Sequence, residues 1–255
     1  MTTRRFIPWF ALLTALAVAT GCAPKFEDMT AEQIYTYSQG EFADKNFDKA
    51  IEGAEKLIDL YPFSVYVTQA ELIIADGYYQ RRRWAEASVH YQDFIDKHPT
   101  NSAVPHSLHR LAMTHYKQSL AIDRDQAETF AAERTFSQLV TQYPDYESAD
   151  DARDRLAEVR EDLAARERYV ARFYWREKEY YASLSRYLHV IRDYSDTKYY
   201  PEALYFSGYN LIKLEEPDEA TRYLQLLLTR YPDHKYANDA KRLLDDLKAA
   251  DAPAG

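Results

Sequence analysis

The sequence predicts an all-α chain in which about five helix–turn–helix repeats stack into a solenoid, closed by a C-terminal capping helix. Three observations predict it. Glycine is scarce, six in 255 residues, while Ala, Glu, Leu and Arg recur with helical periodicity. A small residue returns at Ala50, Ala87, Ala132, Ser183 and Ala220. Twelve positions after each stands a helix stopper, at Pro62, Pro99, Pro144, Ser195 and Pro232, and a ring precedes each stopper, at Tyr61, His98, Tyr143, Tyr194 and Tyr231. Such self-similarity is the signature of a repeat architecture.

Each column has a physical job. The small residue lets the two helices of one repeat approach closely. Four positions on, Ala54, Tyr91, Phe136, Tyr187 and Leu224 lie one turn further along the same buried face. Three positions before it stand Phe47, Trp84 and Tyr180, with Thr129 and Pro217 interrupting the column. Proline has no N–H and disfavours helix in the residue before it, so Tyr-Pro ends the second helix. This is the tetratricopeptide (TPR) pattern. The starts lie 37, 45, 51 and 37 residues apart, so the two middle intervals carry insertions. The first predicts an extended first helix in repeat three and a turn at Asp123-Arg124-Asp125. The second predicts one long helix over Glu147 to Lys178, bracing the two halves. Tyr236 to Lys248 reads as the cap, and Ser195 in place of proline predicts a looser end to repeat four.

The N-terminus reads as an address. Arg4 and Arg5 precede an apolar stretch from Phe6 to Val18, and Ala19-Thr20-Gly21 leads into Cys22, the only cysteine. Residues 1–21 match a signal peptide and are too short, with the wrong flanks, for a membrane span. A lone thiol cannot close an intramolecular disulfide. Two readings remain, a chance cysteine beside an ordinary cleavage site or a lipobox cysteine carrying S-diacylglycerol and N-palmitoyl groups. The lipobox reading is the better one, although Ala19 stands where leucine is usual, and Ala23 in place of aspartate points to the outer membrane. Without Arg4 and Arg5, 30 of the 32 basic residues face 41 acidic ones, a net charge of −11. That balance opposes nucleic-acid binding and electrostatic adhesion to anionic lipid.

No catalytic constellation is legible. The six glycines are scattered, and G-x-S-x-G, C-x-x-C and H-E-x-x-H are absent. His98, His106, His109 and His115 crowd one segment, but no acid lies between His98 and Asp123. They are expected to pack or face water, not to bind a metal. The expectation is a binding scaffold with no enzyme activity, no cofactor and no metal.

Tyr61-Pro-Phe-Ser-Val-Tyr66, Gln69 to Ala75 and His98-Pro-Thr100 resemble the first two repeats of the BamD family, TPR lipoproteins of the β-barrel assembly machinery. Asp123 to Gln126 leading to Tyr143-Pro144-Asp145, Arg166 to Tyr174, and Arg192 to Thr197 are similar to its middle and later sections. The resemblance covers roughly residues 22 to 248. It departs from the family at Ser195 and at Asn101-Ser102, where a second His-Pro is common. The resemblance implies a periplasm-facing scaffold, lipid-anchored to the outer membrane, that assists folding and insertion of β-barrel proteins. Its implied partners are a BamA-like barrel subunit met through a POTRA domain, other lipoproteins of the machinery, and unfolded barrel precursors.

The implied organisation is a signal peptide at 1–21, a lipidated linker at 22–29, a substrate-side half at 30–145, a partner-docking half at 146–249 and a flexible tail at 250–255. Candidate groove residues are Tyr35, Phe42, Tyr66, Gln69, Tyr78 and Tyr79. Arg186 matches a family arginine offered to the barrel subunit, and the bland reading, an exposed helix arginine, stands beside it. The rival function is another TPR lipoprotein, such as a secretin pilotin or an envelope-division coordinator.

Overall fold

The computed structural model describes residues 25–251, so Cys22, the expected signal peptide at 1–21 and residues 252–255 lie outside the described residues. A short 3-10 turn at Phe26–Asp28 leads into eleven α-helices among the described residues. Repeat one pairs α1 (Ala31–Ala43) with α2 (Phe47–Leu60), and repeat two pairs α3 (Val67–Gln80) with α4 (Trp84–Lys97). Repeat three pairs α5 (Val104–Gln118) with α6 (Ala127–Gln142), and repeat four pairs α7 (Ala149–Arg176) with α8 (Tyr180–Asp193). Repeat five pairs α9 (Tyr200–Lys213) with α10 (Pro217–Arg230), and α11 (Ala237–Asp251) caps the stack. Each helix packs chiefly on its neighbours in chain order, the quasi-one-dimensional arrangement of a solenoid.

The repeat columns form the core. Ala50, Ala87, Ala132, Ser183 and Ala220 are all fully buried, as are Ala54, Tyr91, Phe136, Tyr187 and Leu224 one turn on. The two interruptions in the aromatic column also have reasons. Thr129 is buried within α6, and Pro217 occupies the first turn of α10, where its missing N–H costs no hydrogen bond. The largest buried cluster runs from Ala75 to Phe206, without a break at 145/146.

Four of the turns inside repeats share a device that the residue pattern does not announce. Lys45, Arg82, Lys178 and Glu215 adopt left-handed backbone, with φ of 63°, 56°, 63° and 61°. In the first turn Asn46 N–H then donates to Glu41 C=O at 2.8 Å, closing α1 with a six-residue C-terminal motif. Repeat three lacks this turn. Its first helix is not extended, as expected, but stops at Gln118, and the insertion is an eight-residue loop from Ser119 to Gln126. The buried Gln126 side chain ties that loop, donating to the carbonyls of Ala121 and Arg124. The expected turn at 123–125 falls within it, one residue early.

The long helix is present as α7, 28 residues against 14 for α8. It also overturns the expectation of a loose end to repeat four. Arg160 of α7 donates to Asp193 C=O at 2.5 Å and to Asp196 at 2.6 Å, and Glu161 accepts from Lys198 N–H at 2.8 Å. These bonds hold the loop that Ser195 leaves without a proline, and they hold the Asp196 carboxyl below its ordinary value. At the C-terminus, α11 continues to Asp251, three residues beyond the expected cap.

Close packing makes two results predictable. A Cβ on Gly208 of α9 would meet Leu224 Cγ at 2.6 Å. Gly208→Val is therefore expected to destabilise by about 1–3 kcal/mol through overpacking, read from urea unfolding. Burial holds His90, His109 and His234 below the ordinary histidine value, His109 despite Asp151 at 3.1 Å. The unfolded chain therefore binds protons more readily than the folded one as pH falls through the histidine range. The stability these groups contribute is complete above that range and is lost below it. The urea midpoint is expected to be lower near about pH 5.5 than about pH 7.5, and His109→Gln should narrow the gap.

Candidate binding cleft and outer surface

Two helices of the N-terminal half set up facing rows. On α1, Tyr35, Gln39 and Phe42 follow at helical spacing on one face. Tyr66, at the start of α3, then Gln69, Ile73 and Asp76 make the second row. The rows meet at both ends. The rings of Tyr35 and Tyr66 stack with centroids 4.9 Å apart, and Gln39 donates to the Tyr35 hydroxyl at 2.7 Å. At the other end Gln39, Phe42, Ala43, Ile73 and Asp76 line a cleft of about 240 Å³. The Phe42 ring is set by an edge contact with Phe47 at 5.3 Å.

Tyr66 thus belongs with Tyr35, and Phe42 lines the cleft; Gln69 is exposed on α3 between Tyr66 and Ile73, whereas Tyr78 and Tyr79 do not line this cleft. Tyr78 stacks on His90 of α4 at 5.0 Å, under the Arg83 guanidinium, with its hydroxyl toward Glu55 of α2. It packs between helices on the other side of α3. Tyr79 packs edge-on to Trp84 and Tyr91, with Arg110 of α5 over its ring at 4.8 Å. Adjacent helical residues point about 100° apart, and these two neighbouring tyrosines pack against different partners, His90 for Tyr78, Trp84 and Tyr91 for Tyr79.

Asp76 was missed in the sequence because its partners are distant in the chain. It accepts from the buried Tyr91 hydroxyl at 2.5 Å and faces His106 at 3.0 Å. Burial, then the carboxylate, pushes the Tyr91 phenol well up. The other histidines of the crowded segment have separate carboxylates: His98 with Glu71 at 2.6 Å, His109 with Asp151 at 3.1 Å, His115 with Glu128 at 2.7 Å. The acids absent between His98 and Asp123 come from α3, α6 and α7. Each histidine has its own partner, and no three metal-ligating side chains converge among the described residues.

Arg186 sits elsewhere, on the outer face formed by second helices of the repeats. With Tyr181, Leu184, His189 and Arg192 of α8, and Tyr223 of α10, it lines an open cleft of about 530 Å³. Its side chain is 46% exposed and only loosely held, 3.4 Å from the nearly buried Glu167 of α7. A side chain so placed can reach outward. Tyr181 beside it is 77% exposed. On α7, Tyr169 and Phe173 are each half-exposed one turn apart, a pair the sequence reading did not single out.

No helix among the described residues is long and apolar enough to cross a membrane. The chain is similar over 92% of its length to the outer membrane protein assembly factor BamD of Rickettsia prowazekii, at 29% identity and 95% of that protein. BamD of Caulobacter vibrioides matches at 29% identity over 92% of this chain and 79% of its own. Among solved structures, a TPR repeats protein from Bacteroides fragilis superposes with a TM-score of 0.46 at 14% identity, covering 87% of this chain and 99% of that one. The YfiO family model, described as outer membrane lipoprotein, matches residues 27–222, more than half of the chain, and the chain therefore belongs to the YfiO family of outer membrane lipoproteins.

Proposed function

We propose that this chain is an outer membrane protein assembly factor that works by capture and handover, without covalent chemistry. Acyl groups on Cys22 hold the solenoid at the membrane and raise its effective concentration near its partner. The facing rows of α1 and α3 take an extended segment of an unfolded barrel precursor. The α8/α10 surface around Arg186 meets the barrel-forming subunit, through a periplasmic POTRA-type domain. Further lipoproteins of the machinery would join the same assembly.

The observation that supports this reading best is the cleft itself. Rings at Tyr35, Tyr66 and Phe42 alternate with carboxamides at Gln39 and Gln69, so an extended strand finds apolar contact and backbone hydrogen-bond partners along one line. Relatives named as outer membrane protein assembly factors support outer membrane proteins as the class that is captured. The rival secretin-pilotin or division-coordinator reading is not favoured by that membership.

Photo-crosslinking tests the cleft. A photoreactive residue at Phe42 or Gln69 is expected to capture newly exported barrel precursors, whereas one at Val89, exposed on α4, is not. Equal capture at all three positions would remove the cleft from the mechanism. Purification in native detergent should recover a large outer-membrane β-barrel protein alongside the chain, and recovery of a secretin instead would restore the rival.

A further inference from the structure

The four loops that join one repeat to the next, and the fifth that leads into α11, share one backbone and differ in what they present. In each, the fourth loop residue donates its N–H to the carbonyl of the leading ring residue: Ser64 to Tyr61, Asn101 to His98, Tyr146 to Tyr143, Thr197 to Tyr194 and His234 to Tyr231. The third and fifth residues point outward in every one. Four loops fill those positions with polar groups, Thr100 and Ser102, Asp145 and Glu147, Asp196 and Lys198, Asp233 and Lys235, all exposed. The first loop fills them with Phe63 and Val65, 99% and 79% exposed, beside a 40% exposed Leu60. Single exposed apolar side chains are ordinary, but a cluster at positions the same fold makes polar four times is not.

The place of this loop indicates what covers it. The Tyr61 hydroxyl donates to Met29 C=O at 2.6 Å, and Phe26 and Met29 pack in the same apolar cluster as Tyr61 and Tyr66. The loop is thereby fastened to the N-terminal end of the described chain. Cys22 lies three residues before Lys25, and three residues reach about 11 Å at most. We infer that Phe63 and Val65 insert into the interfacial region of the lipid leaflet that receives the Cys22 acyl chains, giving the solenoid a second, non-covalent foot and a set orientation. This rests on the reading of Cys22 as acylated. The contact is apolar, because the exposed charges of the adjoining segments are mainly acidic, Glu27, Asp28, Glu32 and Asp59 against Lys25. It should therefore persist at high salt.

The test uses the acylated full chain reconstituted in phosphatidylethanolamine–phosphatidylglycerol vesicles. With Cys22 blocked by its thioether, Phe63→Cys supplies the single free thiol for an environment-sensitive fluorophore. Lys45→Cys, in the turn at the opposite end of α1, serves as the control, and thermal melts confirm both folds. The expected result is a blue shift at 63, with quenching by spin-labelled lipids that survives high salt, and neither effect at 45. A chain that floats with the vesicles while the label at 63 stays in water overturns the insertion and leaves the anchor standing. A label protected only when a protein partner is added overturns it in favour of a protein contact. A chain that does not float overturns the anchor reading, and the insertion falls with it.

Discussion

Cys22→Ala is expected to release the protein from the membrane fraction when its protein partners are absent. The surface offers no substitute of comparable strength. Its net charge is negative, so anionic headgroups repel it on average, and no described helix can span the bilayer. Acyl chains contribute about 0.8 kcal/mol per buried CH₂, and two or more chains make the attachment stable. Their loss also removes the confinement that raises local concentration, roughly a 10²- to 10⁴-fold effect on partner engagement. Fractionation in cells depleted of the barrel subunit, with vesicle flotation of the purified chain, reads this directly. A Cys22→Ala protein that still sediments with outer membrane under those conditions contradicts the anchor.

Arg186→Glu is expected to cut recovery of the barrel-forming partner, by about 30-fold or more in affinity if the arginine is an interface hot spot of about 2 kcal/mol. Arginine suits the role, since its planar fork binds a carboxylate through two hydrogen bonds. The substitution also brings a negative charge to the nearly buried Glu167, 3.4 Å from the present guanidinium. Two controls separate these effects. Arg186→Gln removes the charge without the repulsion and should retain most of the loss in binding, and thermal melts should show that the fold is intact. Tyr181→Ala, one helical turn and a residue away on the same open cleft, should weaken the same partner. Unchanged recovery in all three variants would return Arg186 to an ordinary surface arginine.

The residues legible in the sequence were those whose partners lie close along the chain. Ala87, Tyr91 and Pro99 are tied by one helix and the turn after it, so their spacing alone reports the second helix of a repeat. The same holds for the 28-residue α7, whose Arg, Glu and Ala run has no stopper. Tyr78 shows the opposite case. Its composition and neighbours suited the cleft, but only the packing of α2 and α4 against α3 reveals that its ring stacks on His90. The start of the loop in repeat three, Ser119 to Ile122, reads as more helix because the stretch before it contains no glycine or proline after Pro105, whereas the turn that follows is legible at Asp123-Arg124-Asp125. Beyond the end of α5 at Gln118, the Gln126 side chain gathers carbonyls of the loop, a contact local patterns do not display.

The sequence alone determined the repeating helix pairs, their number, the long brace and the cap, because a helix–turn–helix unit is specified by contacts within about a dozen residues and each unit buries its face only on its neighbours. Only the tertiary structure decided which side chains share a surface. Asp76 reaches His106 from thirty positions away, Arg160 holds a loop from α7, and Phe42 joins Ile73 across two helices. Those pairings depend on the angle at which one repeat settles on the next, and that angle is an outcome of packing many side chains at once, not of any spacing that can be read along the chain.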